Sequence, residues 1–430
     1  MEPDFFPIPA PCLAERLKPV FSALLCRQSA FFLGAPGSGK SSHWQFCLSR
    51  REFLKSLLPA TADFHFIYLN PNLCPVLNME SFYKMILSQA VGSLEEKSEL
   101  YSLAKRQAEK IIFTSDYFLV INSCRKILEE LLKTKRVIFV IDYFEKLAAI
   151  DPDIIRTLKS FWQMGRLQPL EKVSFLILSE PRPVFDKDSV LTKGLLELVG
   201  ENFFFSPLLD YKESLYSYRR HAKFRGYRLK SEEEEMLWKT IGGLGSVFRY
   251  AIQILEKTAS AKSDSREEFL FSNPQIKEAV WQVLASLPVK TQKEFLNFLK
   301  KKLPPPAESL LWSLGLVRQN GGKLSPFGSV ASILKEPKSD TVLSIGNGLV
   351  LTAELTAQEA SLLDFFLKNS NKIIGKDEIA GALWGKNSFE KYSEWAMTKV
   401  INRLRRKIKK EGTFPSLLTV RGRGYKLLLN

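Results

Sequence analysis

From Phe31 to about Leu178, short apolar runs alternate with stretches of helical period. The runs are SAFFLGA, FHFIYLN, RVIFVID and VSFLILS, rich in Phe, Ile, Leu and Val and not strictly alternating. Strands read this way when crossover helices cover both faces of a parallel sheet. The order strand, helix, strand, helix predicts an α/β sheet. One helix, LAERLKPVFSALL, leads into it. From about 208 to 260 the pattern is helical, and Ser231 followed by Glu232–Glu235 reads as a helix start. The segment KTASAKSDS, 257–265, reads as a polar linker. Residues 273–335 predict a compact unit: two amphipathic helices, a break at Pro304–Pro306, the helix ESLLWSLGL, and a hairpin around Gly321–Gly322. A second linker spans 335–340, and 341–430 form a last domain of similar helix-helix-hairpin shape.

Composition narrows the partners. The chain has 430 residues, 45% hydrophobic and 25% charged, which is globular and long enough for several domains. Lys and Arg number 62 against 46 Asp and Glu, a net charge of +16. Such a surplus points to a polyanionic partner. No run reaches the ~18 apolar residues of a membrane helix. The start, MEPDFFPIPAPC, lacks a basic segment followed by an apolar one, so neither membrane nor export is expected and a cytoplasmic location is. The five cysteines, Cys12, Cys26, Cys47, Cys74 and Cys124, are scattered without C-x-x-C and read as free thiols. The three histidines make no metal-ligand spacing with them.

Candidate chemistry appears first at Gly34-Ala35-Pro36-Gly37-Ser38-Gly39-Lys40-Ser41, which fits G-x-x-x-x-G-K-[ST] in full, between an apolar strand and the helix SSHWQFCLSR. Glycines let several N–H groups curl around one phosphate, and the helix adds the positive end of its dipole. Lys40 would reach the β and γ phosphates of ATP, and the Ser41 hydroxyl would ligate Mg²⁺; Ser42 extends the nucleotide loop. Val137–Ile141 ends in Asp142, the expected second partner of Mg²⁺. The residue after Asp142 is Tyr143, where many ATPases have a water-polarising Glu. Glu145 either takes that catalytic role beside Lys40 and Asp142 or is a solvated helix residue. Ser179, at the end of VSFLILS, either senses the γ-phosphate or merely ends a strand.

The set GAPGSGKS, FIYLNP, VIFVIDYFEKL, FLILS and IGGLGSVFRYAIQIL resembles the AAA+/STAND class of P-loop ATPases, including its archaeal ATPase and origin-recognition branches, over about residues 15–260. In that class a Gly-x-Pro or a lid arginine contacts nucleotide. Gly243-Leu244-Gly245 has glycine at the proline position, and Arg249 is the candidate arginine.

The C-terminal 90 residues carry 15 Lys and Arg against 8 Asp and Glu. In SEWAMTKVINRLRRKIKK, Met397, Val400, Ile401, Leu404 and Ile408 make an apolar stripe. Lys399, Asn402, Arg403, Arg405, Arg406 and Lys407 take the other faces, which suits a helix in the major groove of double-stranded DNA. LLTVRGRGYKLLL follows as two strands around Arg421 and Arg423, a hairpin able to enter a minor groove. Thr356 and Glu359 form a capping box upstream.

The whole segment resembles the OmpR/PhoB-type winged-helix DNA-binding domain, through IGNGLVLTAELTAQEASLLDFFLKN, KIIGKDEIAGALWG, VINRLRRKI and TVRGRGYKLLL. The resemblance implies base reading by Arg403. It implies phosphate contacts by Arg405, with Lys399 and Asn402 beside it, a minor-groove contact by Arg421, and Thr419 near the backbone. The loop GKNSFEKYSEW would be the one that touches RNA polymerase in that family. Family members carry a phosphoacceptor receiver in front, whereas an ATPase occupies that place here. Residues 273–335 resemble the winged helix that follows the lid in archaeal-type ATPases, expected to pack on the ATPase because its third helix is nearly uncharged.

The expected architecture is therefore an α/β P-loop NTPase, a parallel sheet with a helical lid, followed by two winged-helix domains. The boundaries are 1–207 for the core, 208–264 for the lid, 265–338 for the middle winged helix and 339–430 for the last. The expected function is an ATP-binding, nucleotide-switched, sequence-specific regulator of transcription that hydrolyses slowly, in which nucleotide fixes the angle of the lid and the lid and middle winged helix then either mask or release the C-terminal domain or permit self-association on DNA. Two alternatives stand beside it: an ATPase machine acting on DNA, as an initiator or loader, and a STAND-type defence sensor.

Overall fold

The computed structural model describes residues 6–59, 64–74, 78–94, 96, 98–111, 114, 116–148, 154–166, 172–185, 190–259, 263–301, 304–320, 322–329, 357–369, 372–384, 394–410, 416–420 and 423–428. The chain divides into two compact units, 1–333 and 334–430. The core and lid segments of the sequence reading lie in the first, as does the middle segment up to 333. The second linker, 335–340, Gly321, Thr356, Arg421 and most of the loop 385–395 fall outside the described residues. Among the described residues no helix is long and apolar enough to cross a membrane.

The first unit is built on a parallel sheet of five strands: β1 (Ala30–Leu33), β2 (Phe64–Leu69), β3 (Arg136–Ile141), β4 (Val173–Ser179) and β5 (Phe203–Phe205). Their spatial order is β2-β3-β4-β1-β5. β1 and β4 are buried along their whole length, and β3 from Val137 on, because helices cover both faces. The continuous apolar runs follow from that. Rings of Phe139, Phe161 and Phe175 stack at the centre. β5 is a strand the hydrophobic pattern did not single out: three phenylalanines, each half-buried, on the sheet edge. All five strands point the same way, so Leu33, Leu69, Ile141 and Ser179 end on one edge. The loops that leave this edge carry the phosphate loop, Asp142 and Glu180. This sheet, its loop and its lid make the P-loop NTPase fold.

The lid consists of the helices Tyr211–Phe224, Ser231–Ile241 and Phe248–Lys257. Asp210 and Glu213 cap the first reciprocally. The same Glu213 carboxylate receives a paired contact from Arg16, at 2.7 and 2.5 Å, so the N-terminal helix Ala10–Leu25 is fastened to the lid. The polar segment expected as a linker at 257–265 is partly helix. Ser263–Ser272 is helical, held by Arg266, which pairs with buried Glu233 and donates to Thr258 O.

The middle segment has helices Pro274–Ala285 and Val289–Lys301, a one-turn helix Leu310–Ser313, and a hairpin of β6 (Val317–Asn320) and β7 (Lys323–Pro326). It is bonded to the lid. Leu208 N–H donates to Leu314 O, the Arg318 guanidinium donates to Leu209 O at 2.8 Å and lies over the Trp238 ring, and Ser329 donates to Lys239 O.

The second unit is a separate winged helix. It has helices Ala357–Lys368, Lys376–Trp384 and Glu394–Lys410, and an antiparallel sheet of β8 (Ile373–Ile374), β9 (Ser416–Val420) and β10 (Gly424–Leu428) in the order β8-β10-β9. Leu362, Phe366, Ile379, Met397, Ile401, Leu404, Leu417 and Leu427 form its own core. Met397, Val400, Ile401 and Leu404 of the predicted stripe are buried, while the Ile408 side chain lies outside what is described.

Candidate functional site

The phosphate loop leaves β1 and turns through Gly37 (φ 81°) and Gly39 (φ 89°), a left-handed backbone that glycine adopts without steric cost. Gly39 then caps the helix Lys40–Ser49. The Lys40 ammonium folds back over the loop and donates to Gly34 O at 2.5 Å and Ala35 O at 3.2 Å. Burial lowers its pKa, and Glu145, Glu180 and Asp142 act against that. The Ser38 hydroxyl is buried with no hydrogen-bond partner among the described residues.

Ser41 and Asp142, which are 101 positions apart in the chain, meet: the Ser41 hydroxyl donates to Asp142 Oδ1 at 2.9 Å. Tyr68, at the end of β2, donates to Oδ2 at 2.5 Å, and the Tyr143 amide donates to Oδ1 at 2.9 Å. Asp142 is 1% exposed, and burial raises its pKa against these three hydrogen bonds and the charge of Lys40. Tyr143 itself has a φ of 48°, uncommon for a non-glycine residue.

Glu145 stands on the short helix Phe144–Ala148. Its Oε2 accepts from the Ser179 hydroxyl at 3.3 Å and the Glu180 amide at 3.4 Å, so Glu145 and Ser179 are joined. Both glutamates have raised pKa values, burial being the main cause; the Glu180 carboxyl is pushed up to about 7, Glu145 contributing next.

Lys40, Ser41, Asp142, Tyr143, Glu145 and Glu180 line one cavity of about 430 Å³ together with Ala35, Pro36, Gly37, Gly39 and Ser42 of the loop, while Ser38, Tyr68 and Ser179 stand behind its wall. Its far wall is the lid: Ser217, Arg220, His221, Ser246 and Phe248. The larger groove of about 530 Å³, lined by Tyr211, Lys212, Tyr216 and Lys223 among others, is a surface feature away from the phosphate loop. Arg249 does not line this cavity. It is exposed, with its guanidinium 5.7 Å from the Tyr250 ring centre. Its helix buries Phe248, Ala251, Ile252 and Leu255, which turns Arg249 outward. The lid arginine that does line the cavity is Arg220. It donates to Phe6 O at 2.6 Å, while its buried Nε has no partner among the described residues. Beside it, burial and the charges of Arg220 and Arg249 hold His221 neutral, its pKa down to about 4. Tyr68, Glu180, Arg220 and His221 carry no motif and were not found from the sequence. Only convergence in space marks them.

In the C-terminal unit Lys399, Asn402, Arg403 and Arg406 are exposed along Glu394–Lys410, and Thr419 and Arg423 are exposed on the hairpin. Arg405 is different. It donates to Leu417 O and Thr419 Oγ1, each at 2.8 Å, and to Asn402 Oδ1 at 3.2 Å. It ties the helix to β9, whatever else it contacts.

Residues 351–427 match the family described as "Transcriptional regulatory protein, C terminal". The C-terminal unit is a domain of that family, of the OmpR/PhoB type. An uncharacterized transcriptional regulatory protein of Bacillus subtilis, YvcP, is 36% identical over 73 residues, which are 17% of this chain and 30% of that protein. Among solved structures, the Aeropyrum pernix ORC1 protein in complex with DNA is similar at 14% identity and a TM-score of 0.40, over 98% of this chain and 87% of its own. The Walker-type ATPase PABY2304 of Pyrococcus abyssi is similar at 13% identity and a TM-score of 0.43, over 75% of this chain and 95% of its own.

Proposed function

We propose that the protein is an ATP-switched, sequence-specific DNA-binding regulator of transcription. The observation that carries the first half is the convergence of Lys40, Ser41 and Asp142 on a cavity closed by the lid. The residues fit a triphosphate with a divalent cation. Two left-handed glycines open the loop backbone, and the buried Nε of Arg220, which lines the cavity, is unpaired among the described residues. Gly34–Ser42 would cradle the phosphates, with Lys40 placing a positive charge against them. Ser41 and Asp142 would hold Mg²⁺, which would offset phosphate charge when bound. Tyr68 keeps the Asp142 carboxylate turned toward Ser41. On the lid, Arg220 and Ser246 would touch the nucleotide.

The second half rests on the family of the C-terminal unit and on its exposed basic helix and wing. Double-stranded DNA is the partner, with Arg403 reading bases, Lys399, Asn402 and Arg406 beside it, and Thr419, Arg421 and Arg423 on the wing. Such a protein works as a switch only if ATP favours one arrangement over another, because equal affinity for both shifts nothing. The lid is the element in a position to respond, since it touches the phosphate loop directly.

The test is a titration of full-length protein with its preferred duplex, selected from a random pool, in ATP, in ADP and without nucleotide, with mass determined in each state. The expected result is a change of DNA affinity of at least tenfold, or a change of assembly state, between ATP and ADP. Equal affinity and equal mass in all three would refute the switch.

A further inference from the structure

Two glutamates face Lys40 and Ser41 across the cavity, and they are held differently. The Glu145 Oε2 is engaged by two donors, the Ser179 hydroxyl and the Glu180 amide. Glu180 sits one residue beyond β4, and no described residue donates a hydrogen bond to its carboxylate. It is half-buried and lines the cavity. Burial, then the charge of Glu145, brings its carboxyl up to about 7, while Lys40, Arg182 and Lys146 pull it down. A carboxylate whose oxygens are unengaged can accept a proton at once. One already accepting two hydrogen bonds is better suited to holding a strand end in place. Tyr143, immediately after Asp142, carries no carboxylate and cannot polarise a water as an acidic residue there would.

We propose that Glu180, and not Glu145, holds and deprotonates the water that attacks the terminal phosphate of bound ATP. Glu145 is then a positioning residue, fixing the end of β4 through Ser179 and the Glu180 amide. The inference rests on the ATP-binding reading above. In the step, the water oxygen forms a bond to the terminal phosphorus. The bond from that phosphorus to its bridging oxygen breaks, and the electron pair leaves with ADP. The water proton passes to the Glu180 carboxylate and from there to the released phosphate. No other co-reactant is needed.

The experiment compares full-length wild type, Glu180→Gln and Glu145→Gln in two measurements: binding of a fluorescent ATP analogue, and phosphate release from ATP with Mg²⁺. Glu180→Gln is expected to bind the analogue as tightly as wild type or more tightly, since it removes a negative charge facing the triphosphate. Its kcat is expected to fall by ~100-fold or more, as loss of a general base does. Glu145→Gln is expected to bind normally and lose roughly tenfold or less. Wild type that binds ATP but does not turn it over would overturn the proposal and leave the binding reading intact. So would a Glu180→Gln variant that retains turnover within threefold, or one that loses ATP binding. A wild type that fails to bind ATP would remove the site reading, and the proposal with it.

Discussion

The Gly245 amide donates to Gly37 O at 2.9 Å, so the lid is hydrogen-bonded to the phosphate loop itself. Contact at this range requires two residues without side chains. A Cβ on Gly245 would lie 2.9 Å from Gly37 O, and one on Gly37 would lie 2.6 Å from the Leu244 side chain. Gly243 is packed as closely, on Leu209, so the Gly-Leu-Gly turn is fixed sterically from both sides. A loop that reshapes around phosphate would move the lid through this bond.

Gly245→Ala tests that coupling. The added methyl pushes the lid turn off Gly37 O without removing any group proposed to hold phosphate. ATP affinity is expected to fall by less than roughly tenfold, about 1.4 kcal/mol. The difference in DNA affinity between the ATP and ADP states is expected to disappear. Parallel nucleotide and DNA titrations measure both, and an unchanged ATP-to-ADP ratio would show that coupling runs elsewhere.

Lys40→Ala separates binding from folding. Among the described residues the ammonium donates to two loop carbonyls, and burial disfavours its charged form more than Glu145, Glu180 and Asp142 favour it, so its removal should leave the melting temperature without nucleotide unchanged or slightly raised. Loss of charge-assisted contacts with phosphate should weaken ATP binding by ~1.5–3 kcal/mol. Thermal melts over a range of ATP concentration read both quantities. The wild type rises with ATP as mass action requires, and the variant should need ~10 to ~100 times more ATP for the same rise. A variant that matches the wild-type curve would exclude Lys40 from the site.

What the sequence could reveal follows from how its signals are distributed. The phosphate loop is contiguous and its glycines have one mechanical purpose, so it was legible at once, as was Asp142 at the end of an apolar strand. Tyr68 and Arg220 act on the same cavity from distant strands and helices and have no local signature. Glu180 was adjacent to a residue already singled out, yet nothing in SEP distinguishes a cavity carboxylate from a loop charge. Arg249 was chosen by its place after the glycine turn. The apolar stripe of its own helix, Phe248, Ala251, Ile252 and Leu255, in fact implied that it faces outward. β5 is three residues long and half-buried, below what periodicity resolves. The helix at Ser263 reads as linker by composition, and the buried Arg266–Glu233 pair, together with buried Leu270, explains its order.

Arg16→Ala should unfasten the N-terminal helix from the lid. Arg16 and Glu213 are paired with side-chain exposures of 10% and 4%, and Arg16 also donates to Pro207 O. Removing one member leaves a buried carboxylate without its counter-charge, a loss of about 3–5 kcal/mol. The double replacement Arg16→Met with Glu213→Leu should recover part of it, since both charges of the pair leave together while the Asp210 N–H loses its Glu213 acceptor. Urea unfolding of the three proteins measures the difference. A double variant no more stable than the single one would mean that the Asp210–Glu213 cap, and not the ion pair, carries the stability of this corner.

Arg403 and Arg405 lie two residues apart on one helix and should fail in different ways. Arg403 is exposed, so Arg403→Ala should leave the melting temperature of the second unit unchanged and, on the proposed reading, relax base preference by about 1–3 kcal/mol at one or more positions. Arg405 is a strut to Leu417 O and Thr419 Oγ1, so Arg405→Ala should destabilise the unit by ~1–3 kcal/mol through two lost hydrogen bonds from a charged donor. It should weaken binding to all duplexes alike, because a displaced wing loses phosphate contacts without changing which bases are read. The 341–430 fragment has its own core and serves for both variants. Thermal melts and a selection against randomised duplex at two salt concentrations separate the outcomes. Arg403→Ala should keep the salt slope nearly unchanged, and Arg405→Ala should reduce it. Altered base preference in Arg405→Ala with unchanged stability would assign the reading of DNA to Arg405 instead.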